Sequence, residues 1–308
     1  MIDIQKVETF LAAAEKLSLS EAAKQLHLSQ PTVSHQIKVL EQELNVTLFK
    51  RSNTGLQLTE AGRLMLPWAR RLLHDTSNLK EMMSSLQDDI VGELRIACST
   101  TGGKYILPQL AARFSQQYPG ILVRILACGP EQTALNLLEG EAHLGVVSTE
   151  VGDTSLESQK FFQDVITLIV PSSHRWAFQK KIDPTELLEE PIIMREETAG
   201  TRRVVLAELA KHDISLDDLN VFLELGNAEA IVRTVAAGYG ISFVSSLASA
   251  CPLERGNVTD VEVEGMTLVR NVYMVRKRIS APHRPRDVFW SFIHDPANAD
   301  LLRLAEHH

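Results

Sequence analysis

The residues of this 308-residue chain best suited to chemistry fall into two groups. The first is a polar row, Thr32, Ser34, His35 and Lys38, with Arg51 a little further on. Short hydroxyls let a backbone approach closely, and Lys and Arg supply the cations that phosphates attract. The second is a series of hydroxyl-rich segments: Ser99-Thr100-Thr101-Gly102-Gly103, Ser148-Thr149 and Thr198-Ala199-Gly200-Thr201, with Asn227 beyond them. Hydroxyls beside the free N–H groups of helix N-termini can hold small anions. Taken singly, each of these Ser and Thr residues reads first as an ordinary helix cap. Their convergence on one side of a sheet would make them a site.

Covalent or metal-assisted chemistry finds little to work with. Ser99 to Lys104 superficially suggests a phosphate loop, but Lys104 is followed by Tyr105, not by the Ser or Thr that the P-loop order requires. No GxSxG or GxGxxG follows a strand. His143 and His174 belong to no recognisable catalytic motif, and satisfied surface or core histidines are the default reading for them. Cys98, Cys128 and Cys251 form no CxxC pair, so neither a metal centre nor a disulfide framework is expected, and the sparse count suits a reducing cytosol. The expectation is a non-enzyme without a cofactor, located in the cytoplasm. No segment is apolar for long enough to cross a membrane, and none resembles a secretory leader.

The elements that would carry the first group lie in the first ninety residues. Val7, Phe10, Leu11, Ala14 and Leu17 recur at helical spacing. Ser18 with Glu21 reads as a capping box for a second helix, with Ser20 as the alternative cap, and Ala22 and Ala23 allow two helices to cross closely. Ser29 can cap a third helix with Pro31 in its first turn. Val33, Ile37, Leu40 and Leu44 form the inner face of that helix, leaving Thr32, Ser34, His35 and Lys38 outside at its N-terminal end. In a helix-turn-helix these positions meet base edges and phosphates in the major groove. Thr47 to Thr59 then reads as a β-hairpin wing with Arg51 at its base, placed for a minor groove or a phosphate. Pattern alone also fits a three-helix bundle with a surface hairpin, or a winged helix that binds protein.

Net charge does not settle the matter, since the chain carries −8 overall. Residues 1–90 hold 10 Lys+Arg against 11 Asp+Glu, and the remainder 21 against 28. The acidity is therefore concentrated away from the helix-turn-helix, as a DNA-binding segment requires.

Thr59 can cap a further long helix. Ala61, Met65, Trp68, Leu72, Leu79, Met82 and Leu86 form a heptad-like stripe, interrupted at Asp75, as in a helix that pairs with a second copy. The same stripe also fits a surface helix packed on its own domain. Pro67 is expected to kink this helix or to end its first segment. From Gly92 onward strands alternate with helices: strands at 94–98, 121–126, 144–147, 165–170, 192–194, 221–225, 241–244 and 266–275, and a C-terminal helix near 286–294. That order implies parallel sheets with right-handed crossovers. Two α/β lobes enclose a cleft, and ligands in open parallel sheets sit beyond the carboxyl ends of the strands.

The run from Phe10 to Glu41, FLAAAEKLSLSEAAKQLHLSQPTVSHQIKVLE, with Leu48-Phe49-Lys50-Arg51 and Leu58-Thr59-Glu60-Ala61-Gly62, closely resembles the DNA-binding domain of LysR-type transcriptional regulators. The agreement extends over residues 2–62 and continues more loosely through the second half. The resemblance implies contacts of double-stranded promoter DNA with Gln30, Pro31, Thr32, Ser34, His35, Lys38 and Arg51. His35 stands where Arg is frequent in the family; histidine is the shorter side chain and lacks the guanidinium fork, which changes the base preference expected there. The implied architecture is an α/β multidomain chain. A winged helix-turn-helix occupies 1–58, a linker (dimerisation) helix 59–89, and a two-lobed effector domain of the periplasmic-binding-protein type 2 kind 90–308. Lobe I covers about 92–161 and 267–300, and lobe II about 162–266. Family effector pockets place Ser99, Thr100, Thr101, Ser148, Thr149 and Thr201 on a small metabolite, expected to be an anion, with Asn227 and Phe243 as further candidates. The implied partners are the chain itself, as a homodimer or dimer of dimers, and RNA polymerase.

Overall fold

The computed structural model describes residues 2–52, 55–84, 90–280 and 282–305. The chain divides into two compact units, the first essentially the segment before Asp89.

In the first unit, α1 (Ile4–Lys16), α2 (Leu19–Gln25) and α3 (Gln30–Leu44) precede a hairpin of β1 (Phe49–Ser52) and β2 (Gly55–Leu58), followed by the long helix α4 (Glu60–Ser84). Phe10, Ala13, Ala22, Ala23, Val33, Ile37, Leu40 and Leu48 meet in one core. The alanines of α2 are fully covered, which is what close helix crossing requires. Leu17, expected on the inner face of α1, is instead its exposed left-handed C-cap. Ser18 caps α2 by accepting from Glu21 N at 3.3 Å. The Glu21 carboxylate does not return the bond; it pairs with Lys24 one turn on, at 2.8 Å. The helix α4 runs unbroken through Pro67, so the proline does not end it. Met65, Leu66 and Ala69 pack that stretch onto the helix-turn-helix core, which offsets the backbone hydrogen bond a mid-helix proline removes.

The second unit continues with β3 (Gly92–Cys98), α5 (Thr101–Gln117), β4 (Ile121–Ala127), α6 (Pro130–Glu139), β5 (Leu144–Val147) and β6 (Leu156–Pro171). Then come α7 (Arg175–Gln179), β7 (Lys181–Ile182), β8 (Ile192–Arg195), α8 (Gly200–Leu209), β9 (Val221–Leu225), α9 (Ala228–Ala236) and β10 (Ile241–Ser245). The chain closes with α10 (Ser246–Glu254), β11 (Val258–Val263), β12 (Val269–Lys277), α11 (Arg284–Phe292) and α12 (Ala299–Arg303).

The strand order is β4-β3-β5-β12-β6-β10-β8-β9. Each lobe has a parallel trio, β4-β3-β5 in lobe I and β10-β8-β9 in lobe II. The expectation of parallel sheets holds for these trios and for the short β7–β11 pair. β12 runs antiparallel to β5 and β6, and β6 antiparallel to β10 and β11. The strand expected at 165–170 is the far end of the 16-residue β6, which crosses from one lobe to the other. Its first half, with Glu157-Ser158-Gln159-Lys160, lacks an apolar alternation and is held by β12. Leu94, Ile96, Leu110, Phe114, Met274 and Phe289 fill lobe I, and Leu168, Trp176, Ile192, Val205 and Phe243 fill lobe II.

Candidate DNA interface and effector cleft

The third helix begins where its sequence dictates. Ser29 takes an extended backbone and its hydroxyl accepts from Thr32 N at 3.2 Å, while its oxygen lies 2.7 Å from the Thr32 hydroxyl. No acidic residue stands in the first turn to cancel the positive end of the helix. Val33, Ile37 and Leu40 turn inward. Gln30, Pro31, Thr32, His35 and Lys38 are exposed, and Ser34 is half-buried between them. The predicted row is thus one solvent-facing surface at the N-terminal end of α3. The backbone of Arg51 pairs with Leu56 in the wing, but its side chain lies outside the described residues. One residue that sequence reading passed over ties these parts together. Glu41, on α3, accepts from the backbone N–H groups of Leu48 and Phe49 at 2.7 and 3.2 Å, fixing the start of the wing to the helix. Its only signal in sequence is an acid one turn before the end of an otherwise neutral inner face.

In the second unit the predicted hydroxyls gather where the lobes meet. Ser99 Oγ donates to Val146 O at 3.2 Å. Thr100 is the buried N-cap of α5, and Thr101 Oγ1 accepts from Arg195 Nη1 of lobe II at 3.2 Å. Arg203 on α8 reaches back to lobe I, donating to Ser148 O at 3.4 Å and Thr149 Oγ1 at 3.2 Å. Tyr105 on α5 donates to Glu229 on α9 at 2.8 Å. Burial, then the Glu229 carboxylate, pushes the Tyr105 phenol well above its ordinary range. Burial also works to raise the Glu196 carboxyl, but hydrogen bonding and charge from Arg195 outweigh it and hold the group below its usual value. Burial pushes the Cys98 thiol up to about 11, which leaves it a small apolar filler beneath α5.

Thr201 is 1% exposed, and its Oγ1 has no hydrogen-bond partner among the described residues. It stands in the first turn of α8, whose N-cap, Ala199, offers no side-chain bond. Ser246, at the start of α10, is fully buried with an equally unpartnered hydroxyl, and that helix too lacks a side-chain cap. A buried hydroxyl left unpaired costs about 1–3 kcal/mol, so both call for an explanation. Two other candidates have structural roles. The Asn227 oxygen is engaged in capping α9 through Ala230 N at 2.9 Å. Phe243 is buried in the apolar core of lobe II, because β10 is covered on both faces and leaves its side chain no route to the polar group.

Sequence reading missed the cations. Arg195, Arg203 and Arg270 approach the predicted hydroxyls, and Arg270 forms a buried pair with Asp164, Nε to Oδ2 2.8 Å and Nη2 to Oδ2 2.6 Å. Asp164 Oδ1 accepts from Ser245 Oγ at 2.6 Å. The available signal was a charge inside each of two apolar strands, at the register position where Asp164 of β6 faces Arg270 of β12.

A winged helix-turn-helix, a long helix and a two-lobed α/β body in one chain define the architecture of a regulator that both reads DNA and senses a ligand. The family described as "Bacterial regulatory helix-turn-helix protein, lysR family" matches residues 4–63, and the "LysR substrate binding domain" matches residues 87–297. The chain belongs to the LysR family of transcriptional regulators. It is 31% identical over 296 residues to the HTH-type transcriptional activator CmpR of Synechocystis, covering 96% of each chain. Full-length CbnR in complex with its target DNA has the same fold, with a TM-score of 0.72, 22% identity and coverage of 95% of this chain and 99% of that one. The regulatory domain of CcmR from Synechocystis PCC6803, solved in complex with 2-PG, aligns with a TM-score of 0.60 at 28% identity, over 70% of this chain and 98% of that one. Among the described residues no helix is long and apolar enough to cross a membrane.

Proposed function

We propose that α3 is the recognition helix of a promoter-binding regulator, with Gln30, Pro31, Thr32, Ser34, His35 and Lys38 on the DNA and Arg51 at the wing. The observation that carries this is the single exposed polar surface at the N-terminal end of α3, beside a fixed wing. Promoter sites read by this motif are two-fold, and α4 offers a means of pairing. Its Leu64, Trp68, Leu72 and Leu79 are exposed along one helix, beside a groove of about 530 Å³ lined by Val7, Leu44, Val46 and Leu48. A second copy would cover this apolar strip, giving a dimer or a dimer of dimers. Met82 and Leu86, the last members of the stripe, lie outside what is described of the side chains.

We further propose that a small anionic metabolite binds between the lobes, near Ser99, Thr100, Thr101, Ser148, Thr149 and Thr201. Two unpartnered buried hydroxyls and two uncapped helix N-termini support an anion there. Lys104 and Arg203, in the first turns of α5 and α8, form no close ion pair among the described residues, although the Lys104 charge helps to hold the Glu196 carboxyl down, and both add positive charge there. That CcmR was solved with 2-PG agrees with this ligand class. The effector is the only small molecule required; the chain works in the cytoplasm as a regulator, not an enzyme, with RNA polymerase as a further partner. The ligand acts only if it favours one arrangement of the lobes over another. The test is binding to the intergenic DNA beside the chain's own gene, at stated salt and against random competitor. Retention that survives the competitor and shifts with added metabolite supports the reading. Loss of affinity that is equal for all sequences as salt rises sinks it.

A further inference from the structure

The reading of an anionic effector leaves open which group senses the charge, and the floor of the cleft supplies one. Arg270 stands on β12, next to the crossing point of the lobes, and is 5% exposed. Its Nε and Nη2 are turned to Asp164, whose other oxygen is held by Ser245. Only Nε donates to that carboxylate; Nη2 lies 2.6 Å from the same oxygen without hydrogen-bond geometry, and Nη1 has no hydrogen-bond partner among the described residues. Nη1 faces Gly200: a Cβ added there would overlap Ser148 Oγ of lobe I and come within 3.1 Å of Arg270 Nη1. Next in the chain after Gly200, and after the Ser245 that holds Asp164, come Thr201 and Ser246, two of the three buried hydroxyls without partners among the described residues. Both open helices that no side chain caps.

We infer that this floor is an oxyanion subsite, in which Arg270 Nη1 and the hydroxyls of Ser148, Thr201 and Ser246 hold a carboxylate or phosphate group of the effector. The inference rests on the effector reading above and names its charge-sensing residue. Asp164 neutralises the guanidinium, so that Arg270 is not a bare buried charge. The uncapped ends of α8 and α10 then supply the positive potential that a second anion needs. The hydroxyls are covered while Arg195, Arg203 and Tyr105 bridge the lobes, so the anion enters when these bridges part. Because the donors come from lobe I, from lobe II and from the crossover strand, one bound anion ties all three together.

The test is calorimetric titration of the full chain with inorganic phosphate, with acetate, and with glycerol as an uncharged control. The wild type should bind phosphate or acetate and not glycerol, and the better of the two names the head group. Arg270→Lys keeps a cation against Asp164 but loses the fork, and should weaken that binding at least about tenfold. Ser246→Ala removes only an unpartnered hydroxyl, and should weaken it about threefold while leaving the fold intact. A wild type that takes up neither anion at about 50 mM overturns the inference, since affinity weaker than that is no subsite. So do Arg270→Lys and Ser246→Ala chains that bind like the wild type; if Arg270→Lys fails to fold, unchanged binding in Ser246→Ala overturns it alone. Thr100→Leu separates the two levels. If it abolishes binding while the other two variants do not, Arg270 is wrong and the cleft stands; if it too leaves binding unchanged, both fall.

Discussion

Tyr105 and Glu229 join the two lobes through a single 2.8 Å hydrogen bond, phenol to carboxylate, from the first turns of α5 to the first turn of α9. The bond requires the neutral phenol. Because the folded chain raises the Tyr105 pKa, the bond's contribution is fully present below the ordinary tyrosine value near 10 and is lost as pH rises beyond it. Thermal stability of the wild type should therefore fall above about pH 10 more steeply than that of Tyr105→Phe. At neutral pH the variant should lose about 1 kcal/mol, a charge-assisted bond discounted for partial exposure. Parallel pH curves for the two chains would show that the bond does not couple the lobes.

His35 is the position at which base preference should be most open to change. Replacing it with Arg adds a bidentate donor able to read guanine, worth about 1–3 kcal/mol of discrimination. Selection from random DNA should then yield a new guanine in each half-site, whereas Lys38→Ala should leave the selected sequence alone and reduce the salt dependence by about one counterion. An unchanged consensus for His35→Arg would place some other surface in the groove.

Glu41→Ala should release the wing. The substitution strips two backbone donors of their acceptor, costing about 2 kcal/mol in the helix-turn-helix unit. Hydrogen exchange should quicken at Leu48 and Phe49, and DNA affinity should fall while ligand binding by the second unit is retained. If exchange is unaltered, another contact fixes the wing.

Trp68→Asp places a charge in the exposed apolar strip of α4. Sedimentation should show a shift from dimer toward monomer, with loss of cooperative binding to a two-fold DNA site. A variant that sediments like the wild type would leave that strip without a role in pairing.

How much of this was visible beforehand follows from the kind of signal each element carries. The helix-turn-helix was legible because its helices have local caps and strong periodicity, as at Ser18, Ser29 and Val33 to Leu40. The parallel trios were legible from short apolar runs ended by glycine or polar turns. β7, β11 and α10 were not. β7 has only two residues, β11 lacks an apolar run and is held by β6 and β7, and α10, Ser246 to Glu254, has almost no one-sided apolar face and contains Pro252. Their identity comes from tertiary pairing that local sequence does not encode. The candidate hydroxyls could be named from loop composition, yet Arg195, Arg203 and Arg270 could not be assigned to them. Their approach depends on register between strands and on helix starts brought together from distant segments. Phe243, a candidate that came from the family resemblance and not from its own local pattern, lies in the middle of β10, which is buried along its whole length.

The unpartnered hydroxyl of Thr201 has a consequence for how this chain would respond to selection for heat resistance. Valine has almost the same shape and needs no partner, so Thr201→Val should raise the melting temperature. The same methyl would face the effector's anion with nothing to donate. A population screened only for endurance would drift toward robust proteins that occupy their promoters and no longer hear the metabolite, the trade between rigidity and responsiveness compressed into one oxygen atom.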